Sequence, residues 1–239
     1  MTHPLFRDDP YLRVAPGVVT GHTGEGGVIL DASVFYATGG GQPGDSGALE
    51  WDGRTLDIAT AVKADGDGIA LVPATPDALP PVGAHVIQRI DWDRRHAHMR
   101  IHTALHLLSV VLPLPVTGGA IGPGKGRLDF SMPEPPEDRD AVEAALNDLV
   151  DRDLPVTEDW ITEAELDANP GLVKTLSVQP PRGAGHIRLV RIGQGETQID
   201  LQPCGGTHVA RTGEIGRLEL GKIENKGKHN RRVNILFDE

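Results

Sequence analysis

Along residues 1 to about 90, apolar positions alternate with polar ones in short runs, "GVILDASVFY", "GALEW", "TLDIATAV", "GIALV" and "AHVIQRI", separated by Gly, Pro and Asp clusters. A period of two broken by turn residues marks strands with one buried face, so this stretch predicts a small β-barrel domain over 1–90. The Pro-rich "VPATPDALPPVGA" falls between two of these strands and reads as a barrel loop rather than an interdomain linker. From Asp91 the period lengthens: Ile101, Leu105, Leu108 and Leu112 recur at helical intervals, with Asp91 placed as N-cap and Pro113 as the stop. A second helix is predicted in "PEDRDAVEAALNDLVDRDL", its apolar face formed by Val142, Leu146, Leu149 and Val150 and its end set by Pro155. Between the two helices "GKGRLDFSM" reads as a strand, and Thr162 with Glu165 fits the capping box of a short helix. Strands return in "HIRLVRI", "ETQIDLQP", "GRLEL" and "RRVNILF", so residues 91–239 form a second domain of helices and a mostly antiparallel sheet. The predicted fold class is α+β.

Composition narrows the function. The chain has 239 residues and a net charge of -11, which argues against blanket attraction to nucleic acid, because phosphate binding is carried by Lys and Arg. A local basic patch nevertheless occurs in "GKIENKGKHNRRV", where Lys222, Lys226, Lys228, Arg231 and Arg232 crowd together. It reads either as a nucleic-acid contact or as the charged edge of a solvated hairpin. The first residues lack a basic segment followed by an apolar one, and "LLSVVLPLPV" is short and broken by prolines, so neither export nor a membrane span is expected. With one cysteine in the chain, Cys204, no intramolecular disulfide can form, which fits a reducing cytoplasm.

The chemistry concentrates in two short motifs. "HTALH" places His102 and His106 one helical turn apart on one face, a spacing that suits two ligands of one metal ion or two satisfied core histidines. "CGGTH" places Cys204 four residues before His208, and the two motifs together supply three imidazoles and a thiolate, a tetrahedral donor set for zinc. No glutamate follows His102, which removes the HExxH metalloproteases from consideration. Gly205 and Gly206 allow a sharp turn or close approach beside Cys204, and Asp200 is placed to orient a ligand imidazole. His96 and His98 lie off the ligand stripe and read as solvated or capping residues.

The two motifs, "MRIHTALHLLS" and "PCGGTHV", together with "ATGGGQPGDSG" at 37–47, resemble the alanyl-tRNA editing proteins of the AlaX type and the related editing domain of alanyl-tRNA synthetase. Further likeness lies in "GRLDFSM", "TGEIG" and "KIENKGKHNRRV", so the resemblance runs from about Phe35 to the C-terminus. It implies one zinc ion held by His102, His106, Cys204 and His208. It also implies a trans-acting, zinc-dependent aminoacyl-tRNA hydrolase that clears serine, and in some cases glycine, from the acceptor end of mischarged alanine tRNA. Serine exceeds alanine by one hydroxyl, which an apolar pocket rejects only about a hundredfold, so the second sieve must be polar. The resemblance places Thr117 at the residue that reads and acts on the substrate. It brings Gly39, Gly40, Gly41 and Gln42 to the editing pocket as substrate-binding residues, where a plain Gly-rich turn is the other reading. Lys226, Lys228, Arg231 and Arg232 are the candidates for tRNA contact, and His229 stands where the family would carry a small residue. A soluble, cytoplasmic monomer is expected. A threonyl-type editing domain, which shares both motifs, and a non-catalytic RNA-binding protein with structural zinc are the competing readings.

Overall fold

Polar side chains face out and apolar ones in along Arg54–Ala64 and His85–Ile90, two strands of a closed barrel. The structure, a computed structural model, describes residues 1–175 and 185–238. Contacts divide the chain into two units, Met1–His96 and Ala97–Glu239.

The first unit opens with β1 (His3–Pro4) and α1 (Leu5–Asp8), and continues through β2 (Val14–His22), β3 (Val28–Leu30), β4 (Ala32–Ser33), β5 (Gly47–Trp51), β6 (Arg54–Ala64), β7 (Gly68–Pro73) and β8 (His85–Ile90). The barrel closes in the order β2-β3-β7-β6-β5-β8, while β1 pairs in parallel with β4 outside it. The run "GVILDASVFY", predicted as one strand, is split into β3 and β4. Asp31 causes the break by turning its carboxylate to the amides of Val18 and Ala32. Val19, Val28, Leu30, Phe35, Leu49, Leu56 and Leu71 fill the interior. Gly47 is obligatory, since a Cβ there would stand 2.1 Å from the Arg89 carbonyl oxygen. Within this unit Arg95 and Asp45 form an ion pair with both side chains at zero exposure. Arg95 also donates to the carbonyls of Pro10 at 2.9 Å and Val34 at 2.6 Å, and Asp45 accepts from the Tyr36 amide at 2.6 Å.

Helix α2 (Trp92–Val111) begins at Asp91, whose carboxylate accepts from the Arg94 amide at 3.2 Å as the N-cap reading requires. It is followed by β9 (Val116–Gly122), β10 (Lys125–Ser131), α3 (Arg139–Asp151), β11 (Val156–Thr162), α4 (Glu163–Ala168), β12 (His186–Ile192), β13 (Asp200–Pro203), β14 (Leu218–Asn225) and β15 (Asn230–Phe237). The Thr162–Glu165 capping box is present at the start of α4. These strands form two antiparallel sheets, β14-β15-β10-β9 and β11-β12-β13. On β10 the inward row is Gly126, Leu128 and Phe130, all buried. A Cβ on Gly126 would lie 2.5 Å from Ile101, so this glycine lets α2 settle directly on the sheet. One predicted strand is shorter than expected: within "ETQIDLQP", Gly195–Thr197 is a 3-10 turn and the strand starts at Asp200. Gly193 and Gly195, both at positive φ, turn the chain there before pairing resumes.

Candidate metal centre

Helix periodicity sets one half of the centre. Ile101 and Leu105 face the sheet, so the next residues round the helix, His102 and His106, project together from an adjoining face. The other half comes from the loop after β13. The Cys204 amide donates to the Arg188 carbonyl at 3.2 Å, and the Arg188 guanidinium donates to the carbonyls of Cys204 at 2.8 Å and Gly206 at 2.9 Å. One arginine thereby fixes the loop that carries Cys204 and His208. Neither Gly205 nor Gly206 has a positive φ, and a Cβ on Gly205 would meet open space, so the loop needs no strained turn.

The structure brings His102, His106, Cys204 and His208 together, with one ligand atom from each lying within 4.8 Å of the others. Cys204 Sγ is 3.4 Å from His102 Nε2 and 3.3 Å from His208 Nε2. The three histidines are buried and Cys204 is half-buried.

The outer ring nitrogens of His106 and His208 are held. His106 Nδ1 stands 2.9 Å from Asp200 Oδ2, so Nδ1 donates to the carboxylate and Nε2 faces the cluster, where a metal ion would displace any proton it carries. Thr103 Oγ1 donates to the Met99 carbonyl at 2.9 Å, and so can only accept from His208 Nδ1 at 3.2 Å, which frees Nε2 of that ring as well. Asp200 in turn accepts from Lys174 Nζ at 2.5 Å and Gln202 Nε2 at 2.8 Å.

Electrostatics follow from this arrangement. Burial pushes the Cys204 thiol up, but its electrostatic coupling to the surrounding imidazoles and its hydrogen bonds with His102 and His106 outweigh that and hold the thiol well below its usual value. His208 is pushed down to about 3 by burial and by His102. Burial also opposes charge on His106, yet its bonds to Asp200 and Cys204 raise it to about 9. Against its own burial, Asp200 is held at about 2, chiefly by His106 and Lys174. A thiolate facing three imidazoles, of which His106 and His208 are tied down at their outer edges, is a donor set that could hold a metal ion.

The other predicted residues fall as follows. Thr117 lies at an irregularity of β9, where Val116 pairs with Phe130 but Gly118 pairs with Asp129. This bulge re-aims the side chain, and its hydroxyl reaches the Asp129 carbonyl at 3.1 Å and Asn230 Oδ1 at 3.3 Å. The neighbouring Val116 amide donates to the carbonyl of Lys174 at 3.0 Å, so Thr117 is one residue from the segment whose lysine holds Asp200. Gly39–Gln42 belong to the first unit as a tight hairpin: the Gly39 and Gln42 backbones exchange bonds of 3.1 and 3.0 Å around Gly40 and Gly41, both at positive φ. Gln42 is fully buried. Lys226 pairs with Glu224 at 3.1 Å, Arg231 donates to Asn225 and to the Gly227 carbonyl, and Arg232 forks onto Asp129 at 2.8 and 3.1 Å. Lys228 and His229 are exposed in the turn. Contrary to the solvated reading, His98 is fully buried; His96 stacks on Trp92 with centroids 5.3 Å apart. Thr103, Lys174, Gln202 and Arg188 were not singled out from sequence. Thr103 alone had a local signal, standing inside "HTALH" where a helical threonine bonds back one turn.

A closed-barrel unit and an α+β unit whose three-histidine, one-cysteine cluster could hold a metal ion are what the fold and site define. Residues 17–94 match the family described as tRNA synthetases class II (A), and residues 187–234 match the threonyl and alanyl tRNA synthetase second additional domain. The alanyl-tRNA editing protein AlaX-M of Methanosarcina acetivorans is 35% identical over 98% of both chains, and that of Saccharolobus solfataricus 33% over 98% of both. The alanine-tRNA ligase of Pyrobaculum calidifontis is 35% identical over 93% of this chain, which spans 25% of that enzyme. The chain belongs to the alanyl-tRNA editing protein AlaX-M family. Among the described residues no helix is long and apolar enough to cross a membrane.

Proposed function

We propose that this protein is a trans-acting, zinc-dependent deacylase that hydrolyses Ser-tRNA(Ala), and Gly-tRNA(Ala) as a second substrate. The convergence of His102, His106, Cys204 and His208 within 4.8 Å, in a chain of the AlaX-M family, carries the reading. Residues 91–239 are the editing domain, and residues 1–90 supply the glycine-rich hairpin Gly39–Gln42 to substrate binding.

Zinc held by all four residues would anchor the fold, and with one ligand released or the shell enlarged by substrate it would polarise the ester carbonyl or acidify a water. The chain's own groups set the rest. Asp200 keeps the His106 proton on Nδ1 and Thr103 keeps that of His208 on Nδ1, so both Nε2 atoms point inward as donors. Both oxygens of Asp200 are already occupied, by His106, Gln202 and Lys174, which makes it a holder of the imidazole rather than a general base. Thr117 presents a hydroxyl, seated between the Asp129 carbonyl and Asn230 Oδ1, as the polar group that would exchange a hydrogen bond with the hydroxyl of a seryl group. Lys226, Lys228, Arg231 and Arg232 meet the tRNA backbone, with Lys228 the most available of them.

The test is incubation of the purified protein with alanine tRNA charged with serine, glycine or alanine. Release of serine and glycine but not alanine is expected. Hydrolysis of a seryl ester on threonine tRNA in preference would favour the threonyl-type domain, and tRNA binding without hydrolysis a structural-zinc RNA-binding protein.

A further inference from the structure

The sheet β11-β12-β13 has two unlike faces. Ile161, Ile187 and Leu189 turn to one side, where they pack with Leu166. The opposite face carries Glu158, Trp160, Arg188, Val190, Asp200 and Gln202, as the register of the strands requires. Cys204 extends this face by one residue, because its amide continues the ladder to the Arg188 carbonyl. Trp160 pairs with Arg188 on the other side. Cys204, Arg188 and Trp160 therefore form one straight row across the sheet, from the metal cluster to the edge strand. Along it burial falls away: the Arg188 side chain is 9% exposed, while Trp160 is 51% exposed. Two strand spacings separate the ends of the row, roughly 10 Å, comparable with one nucleoside from its 3′-oxygen to the outer edge of its base.

We propose that Trp160 is a stacking platform for the 3′-terminal nucleobase of the aminoacyl-tRNA, an inference that rests on the deacylase reading above. An ester placed at the cluster would have its nucleoside within reach of the exposed end of the row, Trp160. Arg188 is spent on the carbonyls of Cys204 and Gly206 and on Glu158, so it braces the row and is not a free cation for phosphate. An indole left half in water on an edge strand gains by accepting an aromatic base, whatever its identity.

The test uses a labelled acceptor-stem hairpin of alanine tRNA ending in CCA, and the same hairpin with an abasic terminal nucleotide. With the intact hairpin, Trp160→Ala raises Kd by about 5- to 150-fold, Trp160→Tyr restores most of the affinity and Trp160→Leu does not. Removing the base weakens the wild type equally and leaves Trp160→Ala unaffected, so the two changes do not add. Independent, additive losses would overturn the platform, as would a wild-type dimer that Trp160→Ala dissociates without altering Kd. If the wild type hydrolyses no charged tRNA while the non-additive pattern holds, the deacylase reading falls and the platform stands.

Discussion

Lys174 Nζ lies 2.5 Å from Oδ1 of Asp200, whose side chain is at zero exposure, while the backbone carbonyl of the same lysine accepts from Val116. The lysine thus ties the carboxylate behind His106 to the start of the strand carrying Thr117. Lys174→Met removes the ammonium and keeps the backbone bond. Metal affinity measured by chelator competition should fall about 10- to 100-fold, the usual effect of losing support behind a ligand, with Lys174→Arg recovering part. An unchanged affinity would mean that His106 and Gln202 hold Asp200 unaided.

Metal content tests the cluster itself. The purified protein should carry about one zinc per chain, and Cys204→Ala or His208→Ala should lose most of it. Affinity should also fall on acidification, because the thiolate and imidazoles must be unprotonated to bind. Full occupancy in both variants, by elemental analysis, would remove Cys204 and His208 from the ligand set.

Thr117→Val keeps the shape at the β9 bulge and deletes the hydroxyl that reaches Asp129 and Asn230. Deacylation of Ser-tRNA(Ala) should slow by roughly ten- to a hundredfold, while Gly-tRNA(Ala), which has no hydroxyl to read, changes much less. Equal losses on both substrates would assign Thr117 to supporting the strand.

The basic hairpin separates into residues with different internal ties. Lys228 is exposed, whereas Arg232 forks onto Asp129. Lys228→Glu should weaken tRNA binding and lower the slope of log Kd against log salt by roughly one contact. Arg232→Glu should in addition lower the melting temperature, since it sets a carboxylate against Asp129. A salt slope untouched by Lys228→Glu would make the hairpin a charged edge.

What could be read from the sequence was local. The N-cap at Asp91, the capping box at Thr162 and the turn between His102 and His106 each depend on residues within a few positions of one another, and all three stand in the structure. The barrel followed from alternation. The residues that tie the cluster down were not readable: Lys174 and Arg188 act through partners distant in sequence that no spacing announces, and Gln202, two residues from Asp200 on the same strand, belongs to no motif. The strand predicted through Glu196 failed for the opposite reason: its alternation was right, but two glycines at positive φ turned the backbone first.

The Asp45–Arg95 pair in the first unit has a consequence for how this sequence can drift. Each partner is wholly enclosed, and loss of either one strands a bare charge away from water at a cost of about 3–5 kcal/mol, whereas a well-packed apolar pair is often tolerated. Every single step from one solution to the other crosses an intermediate that gives up a large share of the roughly 5–15 kcal/mol by which a native protein is stable. The two positions are thereby locked to change together or not at all, and with them the hairpin that Asp45 follows and the first turn of the helix that leads on to His102.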